Sequence, residues 1–113
     1  VKGGVKLLAE GANMPTTIDG IQVLMDHGIM YASGKASNAG GVATSGLEMT
    51  QNYMGQNWTR EEVDQKLQTI MKGIHQNCLS AAKEYGQEGN YMAGANIAGF
   101  LKVAKAMQAQ GVI

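Results

Sequence analysis

Apolar positions in this chain fall into two regimes, short clustered runs in the first third and longer helical spacings after it. Val5 to Ala9 (VKLLA) is a brief, mostly apolar run followed by Gly11, which predicts a buried strand. Pro15 and the threonines Thr16 and Thr17 then offer helix-start chemistry. Ile21, Leu24 and Met25 recur at helical spacing, and Gly28 is a stop, so a helix is expected over about residues 16 to 27. Ile29 to Ala32 is a second short apolar run. Strand, helix and strand within about thirty residues make a parallel crossover unit. Two parallel strands are not a stable sheet by themselves, so this pair asks for neighbours that the chain does not contain.

A stretch rich in Gly, Ser and Asn, Ser33 to Gly40, is expected as a loop. It opens into GGVATSGLEMTQNYM, where Val42, Leu47, Met49 and Met54 continue a helical pattern. Thr59 with Glu62 three residues on forms a capping box. Val63, Leu67, Ile70, Met71, Ile74, Cys78, Ala81 and Tyr85 then mark one stripe of a long helix ended by Gly86. Asn90 can cap a last helix with Ile97, Phe100, Leu101, Ala104 and Met107 on one face and Gly111 as its stop. The small residues Gly94 to Gly99 permit close approach of another element. The pattern is α/β in class but mostly helical, with no internal repeat.

Composition narrows the partners. With 113 residues the chain has the length of one domain, and nine basic side chains balance nine acidic ones. No run of like charge offers a footprint for nucleic acid or an anionic membrane. Apolar stretches are broken every few residues, well short of the ~20 that span a bilayer. The start, Val1-Lys2-Gly3-Gly4, has neither a signal-peptide pattern nor an initiator Met, so further sequence is expected before it. The single cysteine, Cys78, is expected as core filler.

Candidate chemistry concentrates in KASNAGGVATSGLEM, Lys35 to Met49. Gly40 and Gly41 at a helix start expose backbone N–H groups at the positive end of the dipole, which suits a carboxylate or phosphate. Gly41, Val42 and Ser45 share one face, combining bare backbone, a small apolar contact and a hydroxyl donor that together can grip a short aliphatic acid. A tight turn with a surface hydroxyl explains the same residues. Asn38 reads as a helix N-cap or as a binding amide. Asn13, just past a parallel strand, lies where open α/β sheets bind ligands, though an Asx turn before Pro15 also accounts for it.

Other signals fail. Gly34-Lys35-Ala36 lacks the Ser or Thr and the earlier Gly of a P-loop. His75 and Cys78 have no third ligand, so no metal is expected, and His27 is placed to meet carbonyls at a helix end. No Ser, His and acid arrangement is evident.

The strings AEGANMPTT (9 to 17), GKASNAGGVATSGLEMTQN (34 to 52) and YMAGANIAGFLKVAKAMQAQGVI (91 to 113) resemble, in order and spacing, the C-terminal part of hexameric, bacterial-type NADP-dependent glutamate dehydrogenases. The resemblance covers nearly the whole chain. It implies reversible oxidative deamination of L-glutamate to 2-oxoglutarate and ammonia with NADP, or NAD, taking the hydride, in a cytoplasmic homohexamer. Residues 1–40 would close a doubly wound, Rossmann-like dinucleotide-binding domain, and residues 41–113 would supply a cleft-lining helix and C-terminal helices packing toward the substrate domain. Ser45, Val42 and Gly41 look like substrate-binding residues, and Asn13 and Asn38 like coenzyme-binding ones. The ending QGVI is similar to the family's natural C-terminus, so the right-hand end is expected complete and the left-hand end cut.

Ser33 departs from the proline that relatives often carry before Gly-Lys. The family's catalytic lysine and aspartate have no counterpart here, so no residue is assigned a catalytic role and the chain alone is expected to be inactive. The competing expectation is a non-catalytic helical module that assembles with a partner through an exposed apolar stripe on the helix after Thr59.

Overall fold

The computed structural model describes residues 1–111; Val112 and Ile113, the last residues of the QGVI ending, lie outside the described residues. The two short apolar runs become strands. β1 (Leu7–Ala9) and β2 (Met30–Ala32) pair in parallel, with Leu7 opposite Met30, Leu8 opposite Tyr31 and Ala9 opposite Ala32. Between them runs α1 (Ile18–Asp26), started by Thr17, whose hydroxyl accepts the Gly20 N–H at 3.2 Å. At its end His27 sets Nδ1 2.7 Å from the Val23 carbonyl oxygen, meeting a helix carbonyl as expected.

The segment expected as a loop is instead mostly helical. α2 (Gly34–Ser37) follows β2 with one residue between, and α3 (Ala39–Met54) starts after Asn38 alone. Composition suggested a loop, but the turn satisfies its own backbone: the Ser33 carbonyl accepts N–H groups from both Ala36 and Ser37 at 3.0 Å. Gly34 also has to be bare, because a Cβ there would run into the Ala12 carbonyl oxygen.

α4 (Arg60–Glu84) carries the full capping box, Glu62 N–H to Thr59 Oγ1 at 3.2 Å and Thr59 N–H to Glu62 Oε2 at 2.7 Å. α5 (Tyr91–Gln110) is capped by Asn90, whose Oδ1 accepts the Ala93 N–H at 3.0 Å. α4 packs against both α5 and α3. Its stripe from Val63 to Ala81 is therefore half-buried or buried, and only Tyr85 at its end is exposed. This corrects the expectation of an exposed stripe on α4: its two neighbouring helices already cover it. On α5, Ile97, Leu101 and Ala104 are half-buried while Phe100 is 66% exposed and Met107 is exposed too. The buried line runs i, i+4, i+7, and Phe100 lies at its margin.

The core is built from small side chains: Ala36, Cys78 and Ala95, with Ile74 and Tyr91 packed on them. α5 approaches α4 so closely that a Cβ on Gly94 would collide with the Cys78 carbonyl and stand 3.0 Å from the Ala82 Cβ. Total accessible surface is 8372 Å², against about 5,900 Å² for a compact monomer of this mass. The radius of gyration is 16.7 Å, where about 13 Å is usual for this length. Leu7 and Met30 on the two strands remain 53% and 62% exposed, which is the unmet demand for sheet neighbours in numerical form. Among the described residues no helix is long and apolar enough to cross a membrane.

Gly94→Ala forces the two long helices apart and is expected to cost about 1–3 kcal/mol. A lowered melting temperature of the protein checks it; an unchanged one would mean that the crossing is not tightly packed.

Candidate functional site

The β1–β2 ladder ends in a side chain. Its last backbone rung is Glu10 N–H to the Ala32 carbonyl at 3.0 Å. The next rung of a parallel ladder would be Gly34 N–H to the Glu10 carbonyl. Instead Gly34 N–H donates to Glu10 Oε2 at 2.7 Å, and the Glu10 carbonyl accepts the Ser37 hydroxyl at 2.5 Å. The other carboxylate oxygen accepts Thr16 N–H at 3.2 Å. One side chain, 4% exposed, thus joins the loop after β1 to the turn after β2.

Tyr31 lies beside this carboxylate. Its hydroxyl, outweighing the opposing effect of burial and aided by the Gly34 and Thr16 donors, holds the Glu10 carboxyl below the ordinary range. Burial first, then Glu10, pushes the Tyr31 phenol up to about 12. Ser33 is buried here and its hydroxyl has no partner among the described residues.

Sequence reasoning singled out other residues: Asn13 and Asn38 lie close to this centre along the chain, and three more lie on α3. Asn13 lies in the exposed stretch between Ala12, which abuts Gly34, and Thr16. Asn38 follows Ser37, joins α2 to α3 and is half-buried; its side chain makes no cap bond, so the N-cap reading of the amide is not what the geometry contains. Gly41, Val42 and Ser45 lie on the first turns of α3. All three are exposed, Val42 at 79%, and the Ser45 hydroxyl donates to the Gly41 carbonyl at 3.2 Å. Gly40 does not face solvent freely: it backs onto Met71 and Leu67 of α4.

A cavity of about 630 Å³ lies between the sheet face (Leu7, Met30) and α4 and the start of α5 (His75, Leu79, Tyr91), and Tyr31 and Ser37 of the Glu10 centre also line it. It is apolar and contains none of the five residues. It coincides with the open sheet face, where Leu7 and Met30 are exposed. His75 meets the Tyr91 hydroxyl, 3.4 Å from Nδ1, and burial pushes the Cys78 thiol above its ordinary value, as suits core filler.

Glu10, Tyr31, Gly34 and Ser37 were missed by sequence reasoning. The one available signal was a charge set directly after an apolar strand, and its partners are as many as 27 residues away.

Residues 1–111 match the family model described as Glutamate/Leucine/Phenylalanine/Valine dehydrogenase. The chain is 58% identical over 112 residues to the NAD(P)-specific glutamate dehydrogenase of Xylanibacter ruminicola, covering 99% of this chain and 25% of the relative. It is 56% identical over 113 residues to the NADP-specific glutamate dehydrogenase of Escherichia coli (strain K12), covering 100% and 25%. A solved glutamate dehydrogenase of Plasmodium falciparum superposes with a TM-score of 0.92 at 50% identity, over 99% of this chain and 24% of that one. The chain thus spans about a quarter of the length of its curated relatives. What these findings support is a quarter-length segment of such an enzyme, and not the C-terminal placement expected from the sequence strings.

Two outcomes are expected. Ser33 has φ −65°, the angle proline fixes, and follows an extended strand residue. Ser33→Pro removes a buried unpaired hydroxyl and should stabilise the protein by about 0.4–1 kcal/mol, read as a higher urea midpoint; a lower midpoint counts against it. The second concerns pH. A carboxyl depressed in the fold stabilises above its unfolded value of 4.5, and this is lost as pH falls through the folded value. A phenol raised from 10.0 to about 12 stabilises below 10, and this is lost as pH climbs toward 12. Tyr31→Phe should shrink both losses in urea midpoints measured against pH, and unchanged limbs would contradict the pairing.

Proposed function

Since the chain belongs to the Glutamate/Leucine/Phenylalanine/Valine dehydrogenase family, we propose that it is a segment of a glutamate dehydrogenase and forms one wall of the glutamate and nicotinamide site. The reaction is the reversible oxidative deamination of L-glutamate to 2-oxoglutarate and ammonia. NADP is the preferred coenzyme, in line with the names of the E. coli and Giardia intestinalis relatives, with NAD as the alternative. The bound nicotinamide takes the hydride. Residues 1–40 belong to the dinucleotide-binding domain and 41–113 to the helices that line and close the cleft, in a cytoplasmic homohexamer.

The observation that carries this reading is the exposed face of α3. A valine left 79% exposed one turn from an exposed serine is surface without a packing purpose in this chain. Between bare backbone at Gly41 and the Ser45 hydroxyl, it suits a ligand with a short aliphatic stem and a carboxylate at its end. The Ser45 hydroxyl turns from its helix carbonyl to donate to the substrate's side-chain carboxylate, Val42 covers the methylenes, and Gly41 admits the substrate to the backbone.

The residues also fit the coenzyme. Asn13 stands just beyond the carboxyl end of a parallel strand, where open α/β sheets take dinucleotides. The Asn38 side chain makes no cap bond to α3, and Asn13 is exposed. Each amide can both donate and accept, which is what a carboxamide and a ribose require. Proton transfer needs a lysine and an aspartate that this chain does not supply, so the chain binds and orients but does not turn over.

In the intact enzyme Ser45→Ala should raise KM for glutamate roughly ten- to hundredfold, the worth of a hydrogen bond to a charged group, with KM for the coenzyme nearly unchanged. An unaltered KM for glutamate would remove Ser45 from the site.

A further inference from the structure

The interrupted ladder assigns a role to Glu10. We propose that Glu10 is the positioning residue for the coenzyme side of the cleft: its carboxylate acts as a strut between the loop bearing Asn13 and the turn leading to Asn38, and fixes how far apart the two amides stand. This rests on the reading of Asn13 and Asn38 as coenzyme-binding residues.

The geometry supports it in three ways. A direct rung from Gly34 N–H to the Glu10 carbonyl would keep the two chains at ladder spacing beyond Ala9 and Ala32. Routing that N–H to Oε2 at 2.7 Å, while the Ser37 hydroxyl takes the carbonyl, makes a side chain rather than backbone the tie between them. The same carboxylate, through Oε1, holds Thr16 N–H three residues past Asn13. Finally, the Ser37 hydroxyl, beside Asn38, has one proton to give and lies within reach of the Glu10, Ala32 and Ser33 carbonyls, nearest that of Glu10 at 2.5 Å, so movement of the strut is passed to Asn38.

A carboxylate can accept from both N–H groups at once. A glutamine of the same length has one carbonyl oxygen and turns an NH₂ toward the other donor, so Glu10→Gln distorts the strut while keeping its volume.

The test uses the full-length enzyme that contains this chain, with Glu10→Gln, Asn13→Ala and the double variant compared for kcat and for KM of coenzyme and of glutamate. Glu10→Gln should raise KM for coenzyme about tenfold and leave KM for glutamate within about twofold. Because Glu10 acts through Asn13 and Asn38 together, adding Glu10→Gln to Asn13→Ala should raise KM for coenzyme by clearly less than the tenfold it causes alone, the remainder passing through Asn38. Equal losses for both substrates, or a full tenfold effect in the Asn13→Ala background, would show general loosening and overturn the proposal. If Asn13→Ala alone leaves the coenzyme KM unchanged, the coenzyme reading fails and the strut falls with it. If Asn13→Ala acts and Glu10→Gln is silent, only the strut fails. Should Glu10→Gln not fold, Ser37→Ala, which frees the Glu10 carbonyl but keeps the carboxylate, should give the same split at about threefold, and equal effects on both substrates would again overturn it.

Discussion

Past the rung from Glu10 N–H to the Ala32 carbonyl the two strands stop exchanging backbone hydrogen bonds, and the Glu10 side chain takes over. Everything proposed for the coenzyme side hangs from that handover. A carboxylate held away from water is costly unless its oxygens are met by donors, and here two backbone N–H groups and the neighbouring Tyr31 hydroxyl meet them. The charge is tolerated because it satisfies backbone groups that the ended ladder leaves without mates. The same act brings together two segments 24 residues apart in sequence. Stability and placement are therefore one arrangement at this point.

The remaining packing is carried by α4. Its apolar stripe is covered on both sides by α3 and α5, and the tight crossing at Gly94 fixes α5 against it through backbone rather than through large side chains. Yet the chain exposes far more surface than a compact monomer of its mass, and the sheet face with its large apolar cavity is open. Surface of this kind calls for covering polypeptide, which agrees with a segment that matches a quarter of each relative. With the α4 stripe already occupied, the reading as a free-standing helical module loses the interface on which it depended.

How much of this was legible depended on the range of the interactions. Helix ends set by contacts three residues apart, the Thr59–Glu62 box, the Thr17 cap and the Asn90 cap, were readable because partner and donor lie in one window of sequence. The parallel pair was readable from run length and the intervening helix. α2 was not, because Gly, Ser and Asn favour turns in isolation, and the hydroxyl of Ser37 finds its strongest partner 27 residues back. Glu10 was invisible for the same reason: a lone acid at a strand end reads as solvated until the Gly34 N–H is brought to it. Phe100 misled because a helical face is wider than the line that a neighbour covers.

The five residues picked out by sequence divide along the same physical line. Gly41, Val42 and Ser45 are close in sequence, so one turn of helix suffices to assemble them, and they stand together on an open face. Asn13 and Asn38 are far apart in sequence, and nothing local sets their relation. It is set by three contacts that no sequence window contains: the Glu10 carboxylate, the Ser37 hydroxyl and the bare Gly34 against Ala12. On the proposed assignment the substrate face would rest on helix geometry alone, whereas the coenzyme face would depend on tertiary contacts around one buried charge. A perturbation at Glu10 therefore reaches the asparagines before it reaches Ser45.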